Sequence, residues 1–399
     1  MDITIYPKPL EGQITTIPSK SQAHRLLICA AFADGPTELL CPQTNRDIEA
    51  TAACLRALGA EILRTDRGYT VQPVRQLAET AVLPCGESGS TLRFMLPIVG
   101  ALGVDGTFLM EARLPQRPLS PLWEEMERMG CRLSRPREAA LRCQGKLRGG
   151  EYIISGGVSS QFITGLLFAG ALLKQDCRIT VTGVLESKPY VDMTLKALAL
   201  FGVEAQGLVL RGGQRFRSPG RVSVEGDWSN GAFFLAAKAL GSAVTVEGLD
   251  PDSPQGDRAV ARWLEGLKGG HCTVDATHIP DLVPILAVVA GAWHGAEFTG
   301  IRRLRLKETD RVATVCAMMN ALGAKAEATE DTLTVSPAPY ISCTIDASDD
   351  HRIAMSAGIA ATVASGPVTV LNAHSVTKSY PDFWAEYRRL GGNYEQHIR

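Results

Sequence analysis

The segment Leu304-Arg-Leu-Lys-Glu-Thr-Asp-Arg311 crowds Arg305, Lys307, Glu308, Asp310 and Arg311 into eight residues. It follows the turn signal Thr299-Gly-Ile301 and precedes an apolar helical run from Val312 to Leu322. Charge at this density beside a helix start is either a solvated turn or a seat for an anion.

Similar chemistry recurs at six other places. Six nearly all-apolar stretches read as buried helices: His24–Asp34, Ser90–Leu102, Gln161–Leu173, Ser229–Leu240, Asp281–Gly291 and His351–Ser365. The loop before each carries small, hydroxyl or charged residues: Pro18-Ser-Lys-Ser-Gln-Ala-His-Arg25, Gly86-Glu-Ser-Gly-Ser-Thr-Leu-Arg93, Ser159-Ser-Gln161, Asp227-Trp-Ser-Asn230, His278-Ile-Pro-Asp281 and Asp350-His-Arg352. Helix starts leave N–H groups unpaired and carry the positive end of the helix dipole. Ser and Thr there are ordinary N-caps. Lys20, Arg25, Arg93 and Arg352 are different, because a cation at a helix start is unfavourable unless an anion sits between it and the N–H groups. Several such starts, converging, would bind a polyanion without a metal. The sequence has no HExxH, no His or Cys pair at ligand spacing, no Walker lysine and no GxSxG turn. The glycines of Gly86-Glu-Ser-Gly89 are too few to signal a nucleotide.

These helix starts need a scaffold, and the chain describes one by repetition. A helix ending in an apolar–Gly signal recurs at Gly59, Gly130, Gly202, Gly269, Gly323 and Gly391, at steps of 71, 72, 67, 54 and 68 residues. Each glycine fits the left-handed residue that closes a helix. A hairpin of alternating residues is expected after each, as in Glu61-Ile-Leu-Arg-Thr-Asp-Arg-Gly-Tyr-Thr-Val71. A strand opens each unit, and a second, apolar helix completes it. The pattern predicts a mixed α/β chain of six units, each with two helices and several strands, either three per domain or all six stacked as one array. The sixth unit is cut short, and the strand Asp2–Tyr6 could complete it. That would place both termini in one domain, residues 1–17 and 227–399, with residues 18–226 inserted as the other.

Composition bounds the rest. The 399 residues carry 41 Lys and Arg against 42 Asp and Glu, for a net charge of −1. No basic surplus is present for nucleic acid. The ten cysteines form no CxxC pair and read as reduced thiols of a cytoplasmic protein. The opening MDITIYPKPLEG lacks a signal-peptide pattern. The longest apolar runs, Phe162–Leu173 and Leu282–Trp293, are too short to span a bilayer, so no membrane association is expected.

In these motifs the chain resembles the enolpyruvyl transferases, specifically the 3-phosphoshikimate 1-carboxyvinyltransferase (5-enolpyruvylshikimate-3-phosphate synthase) family. Pro18-Ser-Lys-Ser-Gln-Ala-His-Arg25 is similar to the family's PxSKSxxxR element, and Gly86-Glu-Ser-Gly-Ser-Thr-Leu-Arg93 to its GNAGTxxR loop. Arg117-Pro118, Ser159-Ser-Gln161, Ser187-Lys-Pro-Tyr190, His278-Ile-Pro-Asp281, Leu306-Lys-Glu-Thr-Asp-Arg311, Asp350-His-Arg352 and Lys378-Ser-Tyr-Pro-Asp382 follow in family order. The resemblance implies the two-lobed fold, an alpha-beta prism of three βαβαββ units per lobe. It implies transfer of the enolpyruvyl group of phosphoenolpyruvate to the 5-hydroxyl of shikimate 3-phosphate, in chorismate and aromatic amino acid biosynthesis. No metal or cofactor is implied, and a monomer is expected.

Carried over by motif, the shikimate 3-phosphate ligands are Lys20, Ser21, Arg25, Ser159, Ser160, Gln161, Ser187, Asp281 and Lys307, with Tyr190 lining the pocket. Phosphoenolpyruvate falls to Lys20, Gly89, Arg117, Gln161, Arg311, Arg352 and Lys378, Gly89 leaving it room. Glyphosate is expected to compete there. The resemblance makes Asp281 the base toward the 5-hydroxyl and Glu308 the acid toward carbon, with Lys20 sharing in proton transfer. Arg93 is expected to shape its own loop, and Arg305 and Asp310 to pair locally. Two departures stand out. Arg303 occupies a place where the family often has a shikimate-contacting Asn, and is expected to be exposed. Glu87-Ser88 replaces a common Asn-Ala. The sister enzyme acting on UDP-N-acetylglucosamine is the nearest rival. It typically has Lys-Asn where Lys20-Ser21 stands, and a Cys in the loop holding Arg113–Arg117, which has none here. A non-catalytic anion-binding repeat protein would be expected to lose Asp281 and Glu308.

Overall fold

A computed structural model describes residues 1–397. The chain divides into two compact units, Pro18–Glu225 and Met1–Ile17 with Gly226–Arg399. Each has its own hydrophobic core.

In the Pro18–Glu225 unit the helices are α1 (Lys20–Ala31), α2 (Arg46–Ala57), α3 (Gly89–Leu102), α4 (Leu122–Arg128), α5 (Ser160–Leu172) and α6 (Lys188–Leu200). Three four-stranded sheets surround them. Each sheet has one parallel pair and one antiparallel hairpin. In the second, for example, Thr80–Gly86 runs parallel to Asp105–Met110, which is followed by Ala140–Gly145 and Cys131–Arg137. Parallel neighbours need a long crossover, and α3 and α5 are those crossovers. Both are buried almost throughout, which is why their sequences lack a polar face.

The other unit holds α7 (Trp228–Ala239), α8 (Val260–Gly269), α9 (Val283–Ala292), α10 (Arg311–Ala321), α11 (His351–Ala361) and α12 (Phe383–Arg389). The apolar helices α7, α9 and α11 pack against one another. Pro284 sits in the first turn of α9, where its missing N–H costs nothing. The seven residues Val283 to Val289 are all buried. Each large aliphatic among them contributes about 1.5–3 kcal/mol of burial energy.

Two irregularities explain the uneven repeat. The short 54-residue step lacks a hairpin. Only Gly270 and His271 separate α8 from the strand Cys272–Asp275, and the sheet of that repeat has two strands, Glu11–Thr15 and Ala243–Glu247. The expectation of a hairpin in every unit is therefore corrected. So is the role of Gly269. Its five counterparts take positive φ, but α8 runs through Gly269 and the positive φ passes to Gly270, at 144°. The truncated sixth unit is completed by the chain's first strand. Asp2–Tyr6 lies between Val368–Leu371 and Asn393–His397, antiparallel to both, with Ile3 opposite Val370 and Ile5 opposite Tyr394. Ile3 and Ile5 are fully buried there.

Candidate active site

In the unit that carries both termini, three helix starts supply charged residues to one cluster. Arg311 opens α10. Asp310 caps that helix, accepting from the Ala313 N–H at 3.1 Å. Asp350 caps α11, accepting the Arg352 N–H at 2.9 Å. Asp281 stands just before α9. Arg311, 1% exposed, is the hub. Its Nε donates to Asp350 Oδ2 at 2.8 Å, Nη1 to Asp281 Oδ1 at 2.8 Å and Nη2 to Glu308 Oε2 at 2.6 Å. Thr309 Oγ1 also donates to Asp350. Burial alone would weaken the guanidinium's hold on its proton. The negative charges of Asp350, Glu308 and Asp281 reverse this and raise its pKa. Asp350 is buried too, yet Arg311 and His351 hold its carboxyl below the usual range.

Asp281 in turn touches three cations. Besides Arg311, Arg352 Nη2 lies 3.1 Å from Oδ2, and Lys307 Nζ forms an ion pair with Oδ1 at 3.5 Å. Desolvation pushes the Lys307 ammonium down to about 8; Arg311 and Arg303 add to that, while Asp281 and Glu308 oppose it. The cations at these helix starts are thus balanced by carboxylates of the chain itself. Lys378 donates to the Asp349 carbonyl at 3.0 Å.

The Pro18–Glu225 unit arranges its residues differently. Arg25, 2% exposed, binds oxygens of neutral groups: Thr194 Oγ1 at 2.9 Å, the Tyr190 carbonyl at 2.8 Å, Thr164 Oγ1 at 3.4 Å and the Ser21 carbonyl. Its guanidinium also lies 5.1 Å from the Phe94 ring centre. It therefore fastens α1 to α5 and α6. Lys20 pairs with Asp47 at 2.9 Å. A buried hydroxyl chain runs from His24 Nδ1 to Thr51 and Thr91, each 2.7 Å apart, and on to Ser88 at 2.8 Å. It ties α1 and α2 to the start of α3.

The approach of α5 to α3 follows from two residues. Pro97 has no N–H for the Arg93 carbonyl one turn earlier. Gly165 brings α5 against that carbonyl, where an added Cβ would lie 2.2 Å from the oxygen. One turn earlier on α5, Gln161 meets Arg93. Its Oε1 accepts from Nη1 at 2.7 Å, and its Nε2 donates to Ser90 Oγ at 2.9 Å. Arg93 Nη2 continues to the Pro118 carbonyl at 3.1 Å. Gln161, Gly89 and Arg117 are thereby gathered at one end of α3. A Cβ on Gly89 would come within 2.6 Å of Arg117 Nη1. Ser159 caps α5 with Ser160 beside it, and Ser187 precedes α6 in a left-handed conformation.

The family model for EPSP synthase (3-phosphoshikimate 1-carboxyvinyltransferase) matches residues 5–387. The chain is 36% identical to the 3-phosphoshikimate 1-carboxyvinyltransferase of Clostridium kluyveri, over 99% of this chain and 98% of that one. It is also 36% identical to that of Clostridium novyi, over 98% of each. The chain belongs to the EPSP synthase family. Two solved structures share its fold. EPSP synthase from Acinetobacter baumannii has a TM-score of 0.80 at 23% identity, over 99% of this chain and 100% of that one. The enolpyruvyl transferase NikO from Streptomyces tendae has 0.76 at 18%, over 100% and 99%.

Set against the EPSP synthase motifs, one expectation changes. Arg303 is buried, 7% exposed, because its short 3-10 helix, Arg302–Leu306, packs against α10. Arg93, expected to shape its own loop, meets Gln161, which binds Ser90 of that loop, and reaches on to the Pro118 carbonyl. Arg311, expected to hold phosphoenolpyruvate, is paired with three carboxylates. Arg305 and Asp310 pair at 3.2 Å, as expected of neighbours in a turn. Sequence reasoning gave no role to Asp350, Asp47 or Thr194. Asp350 had a readable signal, an Asp two residues before Arg352 at a helix start. Asp47 and Thr194 sit inside ordinary helical sequence and had none.

Proposed function

We propose that the chain transfers the enolpyruvyl group of phosphoenolpyruvate to the 5-hydroxyl of shikimate 3-phosphate, giving 5-enolpyruvylshikimate 3-phosphate and phosphate. The observation that best supports this is Asp281 among Arg311, Arg352 and Lys307, with Glu308 on the far side of the same Arg311. Two carboxylates held by one guanidinium suit a reaction that removes a proton from oxygen and adds one to carbon.

The proposed sequence uses exchange of ion-pair partners. Arg352 and Lys307 turn from Asp281 to the incoming substrate anions, which leaves Asp281 basic enough to take the 5-hydroxyl proton. Bound substrate anions draw Arg311 away from Glu308, which takes up a proton; the oxygen then attacks C2 of phosphoenolpyruvate while the Glu308 acid delivers that proton to C3, forming a tetrahedral intermediate. Glu308 then recovers a proton from the new methyl group, the C–O bond to phosphate breaks, and Asp281 returns its proton as phosphate leaves. Lys20 assists these transfers.

Shikimate 3-phosphate is assigned to Lys20, Ser21, Arg25, Ser159, Ser160, Gln161 and Ser187 of the residue 18–226 domain, with Asp281 and Lys307 of the other. Arg311, Arg352 and Lys378, together with Lys20, Gly89, Arg117 and Gln161, are assigned to phosphoenolpyruvate. The protein is proposed to act in the cytoplasm as a monomer, on small molecules alone. No helix among the described residues is long and apolar enough to cross a membrane.

The test is phosphate release from phosphoenolpyruvate. Release that depends on shikimate 3-phosphate and survives excess EDTA is expected. Equal release with UDP-N-acetylglucosamine would overturn the substrate, and loss restored by a divalent ion would overturn the metal-free chemistry.

A further inference from the structure

Two of the acceptors that surround Arg25 are threonine hydroxyls on neighbouring helices. Thr194 of α6 accepts from Nε at 2.9 Å, and Thr164 of α5 accepts from Nη2 at 3.4 Å. Both threonines are fully buried, and α6 packs against both α1 and α5. Their hydroxyl oxygens are 2.9 Å apart. Thr194 Oγ1 also donates to the Tyr190 carbonyl at 3.0 Å, the usual bond of a helical hydroxyl back to the preceding turn.

Each hydroxyl has one proton to give. If Thr194 gave its proton to Thr164, the Thr164 proton would be buried with no acceptor among the described residues, which is costly. The arrangement that satisfies every group runs one way. Thr164 donates to Thr194, and Thr194 donates to the Tyr190 carbonyl. Both hydroxyl oxygens then turn lone pairs toward Arg25. They aim the guanidinium and cancel none of its charge, whereas a carboxylate in their place would hold it as firmly and neutralise it.

A guanidinium has five N–H groups. Four are taken, by Thr194, Thr164 and the carbonyls of Tyr190 and Ser21. The fifth, on Nη1, has no acceptor among the described residues and is the donor left for an anion. The two threonines also sit close behind other residues assigned to the same substrate. Thr164 lies one turn after Ser160, and Thr194 lies two turns after Ser187.

We infer that Thr194, supported by Thr164, is a positioning residue for shikimate 3-phosphate: its hydroxyl holds the Arg25 guanidinium so that the remaining Nη1 N–H faces the substrate anion. This rests on the functional reading above, which assigns Arg25 to that substrate. Thr194 acts through Arg25. Its loss raises the KM for shikimate 3-phosphate and moves kcat less, because the bond changes take place at the 5-hydroxyl and phosphoenolpyruvate.

The experiment compares Thr194→Val, which keeps the shape and drops the hydroxyl, with Thr194→Ser, which keeps the hydroxyl. In Thr194→Val the KM for shikimate 3-phosphate should rise roughly three- to tenfold, the effect expected of one hydrogen bond. The KM for phosphoenolpyruvate and kcat should stay near their wild-type values, and Thr194→Ser should bring the raised KM back down. In an Arg25→Met background Thr194→Val should add nothing, because both changes remove the same contact. A wild-type KM in Thr194→Val, a serine variant as weak as the valine one, or a full further loss on top of Arg25→Met would overturn the role. If Thr194→Val fails to fold, Thr164→Val takes its place. A smaller rise in the same KM, roughly two- to threefold, is then expected from its longer bond, and no rise overturns the role. Wild-type turnover that ignores shikimate 3-phosphate would sink the functional reading, and this role with it. Turnover that depends on shikimate 3-phosphate, with a wild-type KM in Thr194→Val, sinks this role alone.

Discussion

Two buried arginines, one in each unit, solve the same problem in opposite ways. Arg311 is surrounded by Asp350, Asp281 and Glu308. Arg25 is surrounded by hydroxyl and carbonyl oxygens of Thr194, Thr164, Tyr190 and Ser21. The first guanidinium is compensated by fixed negative charge, which it shares at Asp281 with Arg352 and Lys307. The second keeps its full charge, its donors satisfied by neutral dipoles, and burial lowers its pKa with little carboxylate support to oppose it. A substrate anion meeting the Arg25 region finds an uncompensated positive field. On the proposed reading, one arriving near Arg311 would displace a carboxylate and so free Asp281 or Glu308 to handle protons. That reading gives the Pro18–Glu225 unit the task of attraction and the other unit that of reaction.

The largest expected effect tests the carboxylate hub. Arg311→Met removes the buried counter-charge of Asp350 and one cation each from Glu308 and Asp281, so unfolding should become easier by about 3–5 kcal/mol at neutral pH, with turnover lost. Thermal melts across pH check this, and the deficit should shrink at acid pH as the carboxylates take up protons. Arg25→Met leaves only neutral acceptors unpaired, so its cost should be smaller, about 1–3 kcal/mol, with a raised KM for shikimate 3-phosphate. Equal costs, or a strong pH dependence for Arg25→Met, would break the contrast.

Lys307 sharpens it. Its ammonium titrates at about 8, and the charged form exists below that value. The KM for shikimate 3-phosphate should therefore rise as pH passes through 8, approaching about tenfold per unit. Lys307→Arg, which stays charged, should remove that rise. The smallest effect belongs to Gly89→Ala. Its Cβ would press on the tip of Arg117 at 2.6 Å, a flexible end that can yield. A few-fold higher KM for phosphoenolpyruvate is expected, with a larger loss of glyphosate inhibition. Unchanged inhibition would show that Arg117 moves without cost.

Much of this was legible before folding. The repeat glycines marked helix ends because a left-handed residue leaves a compositional trace, and the apolar helices were readable because burial on all sides removes the polar face. Arg303 shows the limit. An arginine in a charge-rich turn reads as exposed, and its burial depends on how the 3-10 turn lies against α10. The missing hairpin shows another. Its only trace was the short 54-residue step, which by itself could not say which element was gone.

The sequence by itself determined the kinds of groups and their places in the repeat: cations at helix starts, acids in the loops, glycine at residue 89. These are local matters, fixed by spacing and by what a helix terminus can tolerate. Only the tertiary structure decided the pairing. Arg311 meets Asp350, Arg352 meets Asp281, and Arg93 meets Gln161 across separations of 39, 71 and 68 residues. No periodicity connects such partners. They are joined because crossover helices from different repeats pack side by side and bring their starts together, and a buried charge must then take whichever counter-charge that packing supplies.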